Sequence, residues 1–261
     1  MGMLDGKTGL IVGIANERSY AYFIAKSVLA EGGRCAFTHL PGEKNERRTA
    51  RAVRDLGVEN PFLVPLDAGS DEDLDRAFDA YAGEFGAKMD FLLHSIAFAD
   101  REWLQPGAFH KTPREAYLGA IDISAYTLAA MSARAAPMMR ETGGSILCMS
   151  YYGSDKVIPG YNIMGVAKAA LECTTRYLAA ELGEHAIRVN AISGGYLRTL
   201  ASSAVGGVDA ISEQFKTRSP LRRNVEGDDV GKAAAFLLSN HASGITGETI
   251  YVDCGMNIVG V

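Results

Sequence analysis

Short apolar runs, many of them rich in branched residues, recur at residues 8–12, 34–38, 62–66, 91–95, 145–149, 188–192 and 249–252. Runs this short, bounded by turn formers, read as strands buried on both faces. Between them, residues 21–31, 43–56, 71–85, 121–139, 167–182 and 228–238 repeat apolar positions three and four apart, the period of a helix with one buried face. Strand and helix therefore alternate along the chain. This predicts a parallel, doubly wound sheet of seven strands, a single-domain Rossmann-like α/β fold with its ligand sites at the carboxyl ends of the strands. The rhythm fails at residues 198–220, where Ala, Ser and the pair Gly206-Gly207 replace the amphipathic pattern. An insert of small residues after the sixth strand hangs over that same edge, so it reads as a substrate-covering lid.

Composition narrows the class. A chain of 261 residues with 48% apolar and 22% charged content can bury one substantial core, and nothing in it marks a second domain. Its net charge of -5 argues against a nucleic-acid surface, because phosphate neutralisation needs clustered Lys and Arg. The most basic stretch, residues 44–54, is interrupted by Glu46 and flanked by Glu43 and Asp55, as on a solvated helix face. Cys35, Cys148, Cys173 and Cys254 lack CxxC or metal-ligand spacing, so they read as reduced thiols and no metal is expected. The N-terminal residues match neither a secretory signal nor a transit peptide, and no uncharged apolar stretch reaches the roughly 18 residues of a membrane span. The expectation is a cytoplasmic protein with neither membrane nor nucleic acid among its partners.

The first strand runs into Gly13-Ile14-Ala15-Asn16-Glu17-Arg18-Ser19 before a helix. This is not GxGxxG. Gly13 alone supplies the tight turn, while Ser19 stands where a helix cap and the free amides beside it would meet a phosphate. The second strand ends in Thr38-His39-Leu40-Pro41, with no acid for a ribose 2′-hydroxyl and no adjacent arginine for a 2′-phosphate; Lys44, Arg47 and Arg48 lie further on. Asp67, after the third strand, suits either an adenine amino group or an ordinary turn. Ser95-Ile96-Ala97 closes the fourth strand, where a nicotinamide ribose would lie.

Tyr161 and Lys168 carry the most chemistry. They stand seven residues apart in a stretch that reads as the start of a helix, and at about 3.6 residues per turn that separation returns to within about 20° of the same face. An acid and its electrostatic partner thus converge on one ligand; the alternative is two side chains that merely pack and snorkel. The ordinary short-chain dehydrogenase pair is Tyr-x3-Lys, which would put the phenol at 164, but that position is Met164. The phenol has moved back by almost one turn.

Taken together, Gly13-x5-Ser19, His94-Ser-Ile-Ala-Phe-Ala99, Ser150-Tyr-Tyr-Gly153, Tyr161-x6-Lys168, Arg188-Val-Asn-Ala-Ile-Ser193 and Arg198-Thr-Leu-Ala201 closely resemble the NADH-dependent enoyl-acyl-carrier-protein reductases of bacterial fatty-acid synthesis. The resemblance spans nearly the whole chain and includes Gly244-Ile-Thr-Gly-Glu-Thr-Ile-Tyr-Val-Asp253, a general short-chain dehydrogenase feature. It implies hydride transfer from NADH to the β-carbon of a trans-2-enoyl thioester, with Tyr161 bonded to the resulting enolate and Lys168 to the nicotinamide ribose. By the same resemblance Gly13, Ala15, Ser19, Asp67, Ala68, Ser95, Lys168, Leu197 and Thr199 contact the dinucleotide. Tyr151 joins Tyr161 and Lys168 as a catalytic residue and, with Tyr161 and Ala97, lines the substrate. The family is tetrameric, and the apolar helices at 121–139 and 167–182 suit a homotetramer.

Three departures stand out. Where such enzymes commonly read Ser-Ala-Gly-Pro-Ile-Arg-Thr, this chain reads Ser193-Gly-Gly-Tyr-Leu-Arg-Thr199, Ala97 replaces a frequent glycine, and Tyr20 replaces a usual aliphatic. Losing the proline and gaining a glycine frees the backbone beside the nicotinamide. NADH is the expected cofactor, with NADPH left open by the uncharged end of the second strand. The carrier is acyl-carrier protein or CoA; a basic patch of Arg198, Lys216, Arg218, Arg222 and Arg223 would favour the acidic protein. The competing readings are an enoyl-CoA or dienoyl-CoA reductase and a catalytically idle nucleotide-binding homologue.

Overall fold

The computed structural model describes residues 1–197 and 208–260. The seven strands are β1 (Thr8–Val12), β2 (Arg34–His39), β3 (Leu63–Pro65), β4 (Phe91–His94), β5 (Gly144–Ser150), β6 (Ile187–Gly194) and β7 (Thr249–Val252). They form one parallel sheet in the order β3-β2-β1-β4-β5-β6-β7. The helices are α1 (Tyr20–Ala30), α2 (Glu43–Asp55), α3 (Asp71–Phe85), α4 (Arg114–Ile121), α5 (Thr127–Met139), α6 (Asn162–Leu182), α7 (Val208–Arg218) and α8 (Gly227–Leu238). All seven predicted strands are present.

Because side chains alternate across a strand, each apolar run feeds two cores. Leu10, Val12, Leu92, Ile146 and Cys148 face one side, where Leu74 and Phe78 of α3, Leu128 and Met131 of α5 and Leu171 of α6 cover them. Ile11, Phe91, Leu93, Leu147 and Met149 face the other, against Ile24 and Val28 of α1, Val53 of α2 and Val230 and Leu237 of α8. Fully burying one such side chain contributes about 1.5–3 kcal/mol, so this doubly covered sheet is the rigid platform for its loops.

The differences from expectation have local causes. β3 is shorter than predicted, although the backbone bonds Phe37 N–H to Phe62 O and Leu66 N–H to His39 O extend its pairing with β2 at both ends. The helix expected at 121–139 is α5 preceded by a π-helical turn, Asp122–Tyr126, and by α4. In that turn Ser124 is buried and exchanges hydrogen bonds with the Phe98 backbone, a tertiary partner that the local pattern does not reveal. α6 begins at Asn162, five residues before its apolar pattern, which agrees with the reading of residues 161–168 as a helix start. Half of the predicted lid is helical, as α7, and residues 198–207 lie outside the described residues. Among the described residues no helix is long and apolar enough to cross a membrane.

Candidate active site

Register brings the strand ends level. Val12 pairs with His94, His94 with Cys148, and Ser150 with Ser193, so Gly13, Ser95, Tyr151 and Gly195 leave the sheet along one edge. Strand order reverses between β1 and β4, the crevice where an open sheet of this type takes its ligand.

At Gly13, φ is +115° and a Cβ would lie 2.1 Å from the Ser95 carbonyl oxygen, so only glycine lets the two strand exits meet. Ser19 occupies the N-cap position of α1, but its Oγ does not cap the helix. It turns back to accept the Ala15 and Asn16 amides, each at 3.1 Å, and these two bonds use both hydroxyl lone pairs. The N-terminus of α1 is left without a side-chain cap and without an acid in its first turn, whereas α2, α3 and α8 carry acids there. A positive helix end free of carboxylates fits the pyrophosphate of a dinucleotide.

The remaining predicted contacts differ in kind. Asp67 is exposed and its Oδ1 accepts the Gly69 amide at 3.0 Å, so it holds the turn into α3; Ala68 packs against the core beside it. Arg47 pairs with Glu43 of its own helix, as on a solvated face, whereas Arg48 is half-buried, donates to Asn45 at 3.3 Å and keeps its Nε buried without a partner among the described residues. Ala97 is exposed beyond β4, and Leu197 is half-buried at the β6 exit. Thr199 and Arg198 lie outside the described residues.

Tyr161 sits at the N-cap of α6. The next residue, Asn162, takes φ +43°, a left-handed conformation that costs a side-chain-bearing residue free energy. Its Nδ2 offsets this by donating to the carbonyls of Trp103 and Gln105, each at 2.7 Å. The Tyr161 ring lies over Gly153, where a Cβ would come within 2.6 Å of the ring. The Tyr151 ring meets it edge-on at 4.9 Å and 69°. Burial pushes both phenols well above the usual tyrosine range, and for Tyr161 the Glu172 carboxylate adds to the effect, so each stays protonated and has a hydroxyl proton to donate at neutral pH. Met164, the position of the ordinary catalytic tyrosine, is 7% exposed and packs with Leu104, Ala120, Ile163 and Ala167, against which Tyr161 also rests.

Lys168 is 5% exposed, and its Nζ donates to the Met149 carbonyl at 2.7 Å. Burial lowers its pKa to about 8, against the pull of Cys148 and Glu172 toward the charged form. His94, buried beside it, is held neutral by burial and by the Lys168 charge, at about 3, and its Nε2 lies 2.7 Å from Thr127 Oγ1. Sequence reasoning missed Glu172. This carboxylate lies one turn beyond Lys168, and its Oε1 accepts both the Ser150 and the Ser154 hydroxyls, the latter at 2.7 Å, tying α6 to the β5 exit that carries Tyr151. The available signal was an acid four residues after the lysine, with two serines flanking Tyr151.

At the β6 exit Gly195 donates its amide to the Val252 carbonyl at 2.8 Å, and a Cβ there would lie 2.6 Å from Val225 Cγ2. Tyr196 is buried with Phe215 of α7 and Met256, its ring centroid 6.4 Å from that of Phe215. The bulk that replaces proline is therefore absorbed into a small core anchoring α7. Of the basic residues expected at the pocket mouth, Lys216 lies 3.8 Å from Glu213 and Arg223 pairs with Asp229 at 2.6 Å, so the patch is thinner than the sequence implies.

A family profile described as enoyl-(acyl carrier protein) reductase matches residues 13–257. The chain is 46% identical over 261 residues to the enoyl-acyl-carrier-protein reductase (NADH) FabI of Nostoc sp., covering 99% of each protein. It is 42% identical over 260 residues to the Bacillus cereus protein of the same name, covering 100% of each. The crystal structure of the Anaplasma phagocytophilum enoyl-acyl-carrier-protein reductase in complex with NAD superposes with a TM-score of 0.93 at 45% identity, covering 100% of this chain and 97% of that one. That of the Bacillus cereus reductase with NADP+ and indole naphthyridinone gives 0.95 at 42%, with full coverage of both. With the Tyr161–Lys168 register, the open helix end at α1 and a match running from β1 to the C-terminal segment, the chain belongs to the enoyl-acyl-carrier-protein reductase family.

Proposed function

We propose that this protein reduces trans-2-enoyl thioesters on acyl-carrier protein with NADH, the last reductive step of fatty-acid elongation. The observation that carries the reading is the Tyr161–Lys168 pair at seven-residue spacing, with the Tyr151 ring against Tyr161 and a buried Met164 where the ordinary phenol would stand. When bound, NADH would supply the hydride for the substrate β-carbon, and the α-carbon would then take a proton. Tyr161 donates its hydroxyl to the thioester oxygen as negative charge develops there, a bond that strengthens in the transition state in a water-poor site. Lys168 holds the ribose hydroxyls and adds positive potential behind the phenol. Tyr151 buttresses Tyr161 and lines the thioester, with Ala97 at the rim, and the apolar cluster around Leu104 and Met164 gives a lipid-like chain a wall.

Gly13, Ala15, Ser19, Asp67, Ala68, Ser95, Leu197 and Thr199 complete the dinucleotide site, and α7, the described part of the predicted lid, covers the substrate. Exposed Leu118, Tyr126 and Tyr177 on the α4 to α6 face support a homotetramer, and the reading places the enzyme in the cytoplasm. The test is the loss of NADH absorbance with crotonyl and longer 2-enoyl groups on acyl-carrier protein and on CoA. Faster turnover on the protein-borne substrate supports the reading. Preference for CoA would move the activity to degradative or specialised metabolism, and no oxidation of NADH with either would overturn it.

A further inference from the structure

Tyr20 and the β6 exit depart from the commoner family sequence together, and the structure shows them in contact. Tyr20 is the first residue of α1, directly after Ser19, and its hydroxyl donates to the Gly195 carbonyl oxygen at 2.5 Å, a bond across 175 positions of chain. The ring lies against Gly194. A Cβ on that residue would come within 2.8 Å of Tyr20 Cζ and 2.9 Å of its hydroxyl oxygen, so the alanine common at this position does not fit beside the tyrosine. The bonded carbonyl belongs to the peptide that joins Gly195 to Tyr196. In the commoner sequence, residue 196 is proline, whose ring fixes the torsion following that same peptide. Here the ring constraint is gone, and a hydrogen bond from α1 holds the peptide plane instead.

We propose that Tyr20 is a positioning residue for the nicotinamide half of the cofactor, a clamp that replaces the missing proline by fixing the turn that carries Leu197. This rests on the reading of the protein as an NADH-dependent reductase. The clamp joins the two walls between which a dinucleotide must lie: the open N-terminus of α1 on one side and the strand exit leading to Leu197 on the other. Gly194 is then a consequence of Tyr20, as the glycine vacates the space that the ring occupies. Gly195 is set separately, by Val225 and Asp253, so the two glycines have different causes.

The test measures affinity for NADH and for ADP-ribose, which shares the adenosine, pyrophosphate and second ribose but lacks nicotinamide. Tyr20→Phe keeps the ring and removes the clamp. NADH binding is expected to weaken about three- to tenfold, the range of one lost hydrogen bond, while ADP-ribose binding stays within about twofold of wild type. Gly194→Ala should weaken NADH binding by steric conflict, and Tyr20→Ile/Gly194→Ala should bind NADH more tightly than Gly194→Ala alone. Thermal melts identify any variant that fails to fold, and Tyr20→Phe leaves the packing intact. Unchanged NADH affinity in Tyr20→Phe overturns the clamp, as does an equal loss for NADH and ADP-ribose, which would assign Tyr20 to the pyrophosphate or to the fold. Wild-type protein that binds ADP-ribose but gains nothing from nicotinamide also overturns it, and failure of wild type to bind either ligand overturns instead the functional reading beneath it.

Discussion

The exits of β5 and β6 lie side by side on the sheet edge, yet they are held by different means. The β5 exit and the helix after it are fixed by several polar bonds at once: Lys168 to the Met149 carbonyl, Ser150 and Ser154 to Glu172, and Asn162 to two carbonyls of the segment beyond β4. The β6 exit is held by the Gly195 amide on the Val252 carbonyl, close backbone packing at Gly195, the Tyr196–Phe215 contact and a phenol from α1. The first region positions charges and protons, where redundancy protects geometry. The second shapes a surface for a planar ring, where steric fit and bonds to main-chain groups act together.

That contrast breaks first if Tyr161 proves dispensable. Tyr161→Phe should lower turnover on enoyl thioesters by about one to three orders of magnitude with NADH affinity nearly unchanged, because the lost bond acts on the developing enolate. Single-turnover kinetics, in which chemistry limits the rate, provide the measurement. On the β6 side, Phe215→Ala removes a fully buried ring and should cost about 3–5 kcal/mol in urea unfolding. Turnover of the folded fraction at saturating NADH should stay within about threefold, since no charge is disturbed; a loss as large as that of Tyr161→Phe would erase the distinction between the exits.

Lys168→Ala should weaken NADH binding by about ten- to a hundredfold in a fluorescence titration, because it removes charge-assisted bonds to the ribose, whereas Tyr161→Phe should not. The smallest effect expected is a shift in pH dependence. Lys168 titrates near 8 in the free protein, and Glu172 is one of the groups favouring its charged form, so Glu172→Gln should move the alkaline limb of kcat/KM to lower pH. The sign for stability follows from the same depression. Below about pH 8 the folded state carries a buried charge that the unfolded state solvates freely; as pH rises from about 8 toward the ordinary lysine value this penalty is relieved, and stability increases. Lys168→Met should flatten that rise relative to wild type.

Much of this was legible in the sequence because burial on two faces writes strands as unbroken apolar runs, as at residues 91–94 and 145–149. Helical spacing put Tyr161 and Lys168 on one face, but their roles were read from the motifs along the rest of the chain. The direction of the Ser19 hydroxyl was not, since a serine before a helix looks like a cap whether its oxygen points forward or back. Asn162 gave no sign of its left-handed backbone, which depends on carbonyls nearly sixty residues away in the chain. Glu172 resembled one more charge on a helix surface, and Tyr20 an added bulky residue. Each acquired its role only when a distant strand exit came within reach.

Met164 also bears on how one reaction could be reached from another. Reinstating a tyrosine there would restore the Tyr-x3-Lys register, but the site is packed with Leu104, Ala120 and Ile163, and the Tyr161 ring already leans on the same cluster. Enlarging a filled site typically costs about 1–3 kcal/mol. The intermediate would also carry two phenols competing for one lysine. A lineage moving between carbonyl and enoyl substrates on this scaffold must therefore hollow out its neighbours before it moves its acid, so the two chemistries are separated by a packing barrier as well as by a choice of residue.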